Sequence, residues 1–364
     1  MLIWLLLTWA ALAGELRVHM LDVGQGDAIL IEAPGDKRVL IDAGTGKSGV
    51  SDLLKKRGID SLNLVVATHP HADHIGGMAA VLKTFDVGMY VDNGMTHTTM
   101  TYSRTMQALE KRGVNYRAAV VGRTFNVGDE AKLTILHPRQ TPLKGTRSDL
   151  NSNSVVLRLV HGRVCFLFTG DAEDPTERDL MNRGLKQCDV LKVAHHGSEH
   201  STSDSFLRAV QPQVALISAG SGNRYGHPDP HALRRLEHAG VAIHRTDQRG
   251  TITVTSNGKT FSVTADGEAP RNQEASAEAT ALKPDDAKPA PTPSMAANPV
   301  NINTATTAQL DGLPGIGPSK AAAIVGYREQ NGPFKTCSDL TAVYGIGAKT
   351  VAGLADRCIT EDIQ

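Results

Sequence analysis

The sequence predicts two folded parts: a large α/β domain of two mixed sheets flanked by helices, and a small all-α domain behind a linker. Three observations predict it. Residues 14–264 alternate short apolar, β-branched runs with helical patterns and are rich in strands at both ends. Residues 265–298 hold ten Ala and five Pro, no aromatic residue, and only Leu282 and Met295 as large apolar side chains. Such a stretch cannot bury enough surface to order itself and reads as a flexible tether. Residues 299–364 repeat a Gly-Ile-Gly turn thirty residues apart, each time ahead of a helical run.

In order along the chain, strands are expected at Leu16–Val23, Ala28–Glu32 and Arg38–Asp42, each bounded by Gly, Pro or Asp. A helix at Val50–Arg57 leads to a buried strand, Leu62–Thr68, that ends at a histidine. Val87–Val91, a helix near Tyr102–Arg112, and Lys132–Leu136 follow, then a β-pair at Val155–Val160 and Val164–Phe168. Val190–Ala194 and Val214–Ser218 each precede a helix, and Ile243–Thr246, Thr251–Thr255 and Thr260–Thr264 close the domain. The polar motifs sit at strand C-termini, where such layouts carry their chemistry.

Composition narrows the function. The 364 residues carry 38 basic and 38 acidic side chains, so nucleic acid cannot be held by bulk charge and any such contact must be local. Residues 1–13 form the one long apolar run and end Ala11-Leu12-Ala13, which reads as a secretory signal cut after Ala13. An uncut anchor or a buried first strand is the alternative. Cleavage would leave a soluble chain, periplasmic or secreted. Four cysteines fall as Cys165 and Cys188, then Cys337 and Cys358, without a CxxC pair. Outside the cytosol they suit one disulfide in each domain; the alternative is four buried thiols.

The strongest motif is Thr68-His69-Pro70-His71-Ala72-Asp73-His74. Three imidazoles and a carboxylate in six residues, directly after an apolar strand, are costly to desolvate without a shared cation. His69 and His71, two apart, can aim at one ion; Asp73 and His74, opening a helix, can face a second. Asp171 ends the strand Val164–Thr169, where a carboxylate can bridge two metals; His195 and His196 end Val190–Ala194; His227 follows Val214–Ser218. The Gly24-Gln25-Gly26-Asp27 loop lacks the spacing of a phosphate-binding loop and reads as a tight turn at the site's rim. Gly44-Thr45-Gly46-Lys47-Ser48 ends like a P-loop, but the glycine required five residues before Gly46 is absent, and Asp42 lies in that stretch.

The HxHxDH segment resembles the metallo-β-lactamase superfamily. With Asp22–Ala28, Leu40–Gly44, Asn151–Ser154, Thr169-Gly170-Asp171, His195–Ser198 and Tyr225–Pro228, the domain is similar to the extracellular hydrolase domain of ComEC competence proteins. The resemblance implies an αββα sandwich and a hydrolase of phosphodiesters that uses two divalent ions, Zn²⁺ or Mn²⁺. It implies His69 and His71 on one ion, Asp73 and His74 on the other, and Asp171 between them. His195 or His196 would complete the first ion and His227 the second, with His137 left out. Asp73, Asp171 and His227 are the expected catalytic residues, and Ser198, Asn223 or Tyr225 would touch the substrate.

In the small domain, Gly315-Ile316-Gly317 precedes a helical run at Lys320–Tyr327, and Gly345-Ile346-Gly347 precedes one at Lys349–Ala355. Glycines admit close approach, and the first helical N–H groups are unsatisfied donors, so each turn suits a phosphate. The pattern resembles tandem helix-hairpin-helix motifs, and the whole segment the ComEA DNA receptor, which implies sequence-independent DNA binding. Five basic residues against six acidic leave the segment at −1, so binding should be weak and salt-sensitive, with Lys320 and Lys349 as local partners. Together these readings predict an exported nuclease. The alternatives are a hydrolase of another phosphoester, such as phosphocholine, and a non-catalytic DNA-capture protein.

Overall fold

The structure, a computed structural model, describes residues 14–266 except Asp129, and residues 300–360 except 312, 315, 344, 345, 355 and 356. The proposed signal and all but the first two residues of the proposed tether lie outside them. The chain divides into two compact units, broken between residues 278 and 279.

The first unit is built on two sheets. One has eight strands in the order Phe261–Ala265, Ile252–Ser256, Leu16–Met20, Ile29–Ala33, Lys37–Ile41, Leu64–Val66, Met89–Asp92 and Asn115–Ala118. The other has seven: Ala242–Arg245, Val214–Ile217, Val190–Lys192, Val164–Phe168, Val156–His161, Ala131–His137 and Thr124–Asn126. Alternation along the strands assigns the layers. Ile29, Ile31, Val39 and Ile41 pack with Leu157, Phe166, Phe168 and Leu216 of the opposite sheet. Leu30, Leu40 and Val65, pointing the other way, pack with Leu54, Val81 and Leu109 of the helices Val50–Lys56, Met78–Thr84 and Met100–Arg112. On the far side, Leu167, Leu191 and Ala215 pack with Leu180, Phe206 and Leu236 of Asp174–Asn182, Asp204–Val210 and Pro230–His238. The result is the expected αββα sandwich. Each fully buried aliphatic side chain contributes roughly 1.5–3 kcal/mol to holding these layers.

The sequence missed two strands, Asn115–Ala118 and Thr124–Asn126, one at an edge of each sheet. Every residue of Asn115–Ala118 is exposed, so it carries no apolar alternation to detect. The domain boundary at residue 264 also needs correction. The last strand runs to Ala265, and the Asp266 carboxylate accepts the Thr251 N–H, so both belong to the folded body. Cys165 and Cys188 are joined as a disulfide, as are Cys337 and Cys358.

The second unit packs the helices Thr307–Asp311, Pro318–Asn331 and Ala348–Ala352, with a 3₁₀ turn at Cys337–Ala342, around Ile302, Leu310, Ile324, Leu340 and Leu354. It is not purely helical: Val300–Asn301 pairs in parallel with Cys358–Ile359, joining the two ends of the unit. Asn303 reinforces this closure, donating to the carbonyls of Phe334 and Thr360.

Candidate functional site

Asp171 lies at the centre of the site. It follows the strand Val164–Phe168, and its N–H donates to Ser154 Oγ. Gly170, at φ +53°, turns the chain there, and a Cβ at that position would stand 2.9 Å from the Thr68 side chain. Four imidazoles converge on the Asp171 carboxylate: His74 Nε2 at 3.2 Å, His69 Nε2 at 3.7 Å, His195 Nε2 at 3.8 Å and His196 Nε2 at 3.7 Å. His71 stands beside His69, with His69 Nε2 and His71 Nδ1 2.9 Å apart. Asp73 Oδ2 lies 3.4 Å from His196 Nε2 and 3.9 Å from His74 Nε2.

Two donor groups therefore share one carboxylate. Asp73, His74, Asp171 and His196 each place a ligand atom within 4.8 Å of the others, and His69, with His71 against it, faces the same Asp171. The imidazoles are oriented from behind. His74 Nδ1 donates to Asp42 at 2.7 Å, and His196 Nδ1 donates to the Ser218 carbonyl at 3.0 Å, so both present Nε2 to the centre. A carboxylate or carbonyl behind a ligating histidine fixes its tautomer in this way. The residues fit a metal: His74 Nε2, His196 Nε2 and Asp171 Oδ1 are buried, converge, and have no hydrogen-bond partner. Orphaned buried polar atoms are costly unless something else binds them.

Local backbone explains how neighbouring residues reach different places. His195, His196 and Gly197 all adopt positive φ, at 49°, 54° and 81°. Left-handed conformation costs a non-glycine residue roughly 1–2 kcal/mol. It sends His196 into the buried centre and leaves His195 partly exposed, with Nδ1 3.6 Å from Glu173. Asp42, at φ 59°, is held in the same way and accepts from Thr68 N, Thr68 Oγ1 and His74 Nδ1.

The electrostatics follow from burial and opposite charge. Burial opposes charge on His74, yet Asp171, Asp42 and Asp73 outweigh it and hold the ring well above its ordinary value. Burial opposes charge on His196 too, and Asp171 and Asp27 outweigh it, lifting the ring to about 9. Burial would raise Asp171, but His74, His196 and His195 hold it well below the usual carboxylate range. At the margin the balance reverses: burial, then the neighbouring His195, takes His227 down to about 4.

Three expectations need correction. His227 does not join Asp73 and His74; its ring stands 5.6 Å from that of His195, and His196 occupies the place expected for it. Asn223 is spent on its own loop, donating to the Gly220 and His227 carbonyls and accepting from the Tyr225 and His227 N–H groups. Ser198 is buried and caps a turn, its Oγ accepting the His200 N–H. Tyr225 differs from these two: it is 54% exposed and stacks on His227 at the open edge.

Sequence reasoning also missed three residues. The Gly24–Asp27 loop is no rim. Gly26 passes so close that a Cβ would lie 2.2 Å from the Asp73 carbonyl, and Asp27 is buried beneath His74 and His196. Asp42 and Lys192 complete this underside. Acidic residues just after or before β-strands were the available signal for Asp27 and Asp42. Lys192, inside an apolar strand, stood out as a charge with no solvent face.

In the second unit the two turns are alike. Ile316 N–H donates to Leu313 O and Ile346 N–H to Val343 O, and Gly317 and Gly347 accept from the first turn of the helix that each precedes. The Ile316 and Ile346 side chains are each 4% exposed and belong to the core, so they hold the turn and do not face a ligand. A Cβ on Gly317 or Gly347 would meet no atom within 4 Å. Gly315, Gly345 and the Lys349 side chain lie outside what is described, and Lys320 is half-buried at the start of its helix.

Comparison with known proteins finds a match for each unit. The metallo-beta-lactamase superfamily profile matches residues 21–221, and a helix-hairpin-helix motif profile matches residues 295–359. ComE operon protein 3 of Bacillus subtilis is 33% identical over 270 residues, 68% of this chain and 34% of that protein. Recombination protein 2 of Haemophilus influenzae is 34% identical over 246 residues, 65% of this chain and 28% of that protein. ComE operon protein 1 of Bacillus subtilis is 61% identical over 51 residues, 14% of this chain and 25% of that protein. The chain thus spans about a third or less of each of these relatives. With a profile match over more than half its length and a shared-carboxylate histidine cluster at the strand ends, this chain belongs to the metallo-beta-lactamase superfamily and carries a C-terminal helix-hairpin-helix motif.

Proposed function

We propose that this chain is an exported, metal-dependent phosphodiesterase that cuts DNA without regard to sequence and carries its own DNA-binding module. The observation that carries the reading is the Asp171 carboxylate, shared by two groups of imidazoles, in the same chain as a pair of glycine turns suited to phosphate. His69 and His71 would hold one divalent ion, Asp73, His74 and His196 the other, with Asp171 common to both and His195 flanking it. Ions of the zinc or manganese kind, when bound, supply Lewis acidity and an activated water.

The chain's own groups do the rest. Asp73, the most exposed carboxylate of the centre, orients the attacking water from its place beside His196. His227 and Tyr225, stacked at the open edge, line the path of the scissile strand. The helix-hairpin-helix turns hold phosphates by backbone N–H groups, contacts that carry no base information. Tethering them to the hydrolase raises the local substrate concentration. Two disulfides and no free cysteine among the described residues suit a chain that works outside the cytosol.

Incubation of the purified chain with plasmid and Mn²⁺ or Zn²⁺, against an Asp171→Ala control, tests the reading. Metal-dependent degradation by the wild type alone is expected. Turnover of a small phosphodiester without DNA cleavage would move the substrate to another phosphoester, and DNA retention without cleavage would make the chain a capture protein.

A further inference from the structure

Lys192 lies directly under the histidine–aspartate cluster, and the chemistry above does not use it. Its side chain is fully buried on an interior strand of the second sheet. The ammonium pairs with Asp27 Oδ2, donates to the Gly170 carbonyl at 2.9 Å, and stands 3.9 Å from Asp171 Oδ1. Asp27 comes from a loop of the first sheet and Gly170 from a strand end of the second, so one side chain ties the two halves of the sandwich beneath the site. Lys192 is the nearest cation to Asp27; the His196 and His74 rings stand off at 3.4 and 3.7 Å.

The charges make this placement consequential. Asp27, Asp42 and Asp171 are buried around the one His74 ring, and Asp73 adjoins it. Buried carboxylates without a counter-charge are strongly destabilising. Divalent ions could balance them, but ions can leave. A lysine cannot, and the same fixed charge repels an incoming dication. We propose that Lys192 is a resident counter-cation: it holds Asp27 in place and, through the Gly170 carbonyl, Asp171, and it sets how tightly the centre takes divalent ions. It is a positioning residue, acting through Asp27 and Asp171. The inference rests on the metal-centre reading.

The test is metal affinity, measured on the purified full chain after chelator stripping, with Mn²⁺ or Zn²⁺ alone titrated against a fluorescent chelator. Lys192→Gln removes the repelling charge and leaves Asp27 unopposed, so ions should bind about tenfold more tightly or better. The stripped variant should melt below stripped wild type, and the gap should close on loading. Asp27→Asn leaves the lysine unopposed and should weaken binding by about tenfold. The double variant should return near wild type. Unchanged or weaker binding in Lys192→Gln, or shifts of the same sign in both single variants, overturns the proposal. If Lys192→Gln does not fold, Asp27→Asn against the double variant decides, and failure of the second change to restore affinity overturns it. A wild type that takes up no ion defeats the metal centre itself, whereas uptake with same-sign shifts defeats this inference alone.

Discussion

The two units hold their candidate sites in opposite ways. In the first, four imidazoles from two separate loops, those of His69, His74, His195 and His196, meet within 3.8 Å of Asp171, and the backbone mainly aims them. In the second, each turn is a few consecutive residues, its isoleucine is buried, and what it offers outward is backbone beside an open glycine. A side-chain site depends on the whole tertiary fold and tolerates few substitutions. A backbone site depends on local conformation and is sensitive mainly to what blocks approach.

The largest effect should come at the shared carboxylate. Asp171→Ala should lower bound metal from two ions to one or none per chain, by elemental analysis, and reduce phosphodiester turnover by about 10³-fold or more. DNA retention by the helix-hairpin-helix unit should be untouched; its loss would break the independence of the two sites. Next, the histidines should separate. His196→Ala should cost one ion, because His196 stands with Asp73 and His74. His227→Ala should keep both ions and lose turnover, because its ring faces His195. The reverse pattern would restore the assignment first expected from sequence.

The second unit should answer to space. Gly317→Val with Gly347→Val puts side chains where nothing now stands, and should weaken DNA retention by about tenfold while metal content stays at two. Retention that survives would mean the phosphate contacts lie elsewhere.

The smallest effect is acid stability. His137 is buried, its Nδ1 donating to the Ser154 carbonyl, and burial pulls it down to about 4. Its pKa is lower folded than unfolded, so the unfolded chain takes the proton first. The neutral ring costs nothing above about pH 6.5, and stability falls as pH drops from there towards 4, by on the order of 3 kcal/mol for this group. His137→Asn keeps a donor for Ser154 without a titrating ring, and should flatten the fall in melting temperature over that window. Residues 299–364 contain no histidine, so the second unit should show no such slope.

Much of this was legible without coordinates, and the exceptions share a cause. The inner strands, the HxHxDH run and the Gly-Ile-Gly echo are local patterns: alternation, clustered ligands, a repeated turn. The exposed edge strand Asn115–Ala118 has no alternation to read. Asp27 and Asp42 look like ordinary turn residues, and Asn223 like a free amide, until their neighbours are known.

The sequence by itself determined the two-part division, the alternation of strands and helices in the first unit, the HxHxDH run of ligand-type residues and the repeated glycine turns, because each is set by residues close together along the chain. Only the tertiary structure decided that His196 and not His227 stands with Asp73 and His74, that the opening glycine loop runs beneath the centre, and that a lysine is buried among its carboxylates. Those facts depend on which strand ends meet across two packed sheets. Left-handed turns at Asp42, His195 and His196 then settle where each side chain points. No pattern of neighbouring residues encodes that meeting.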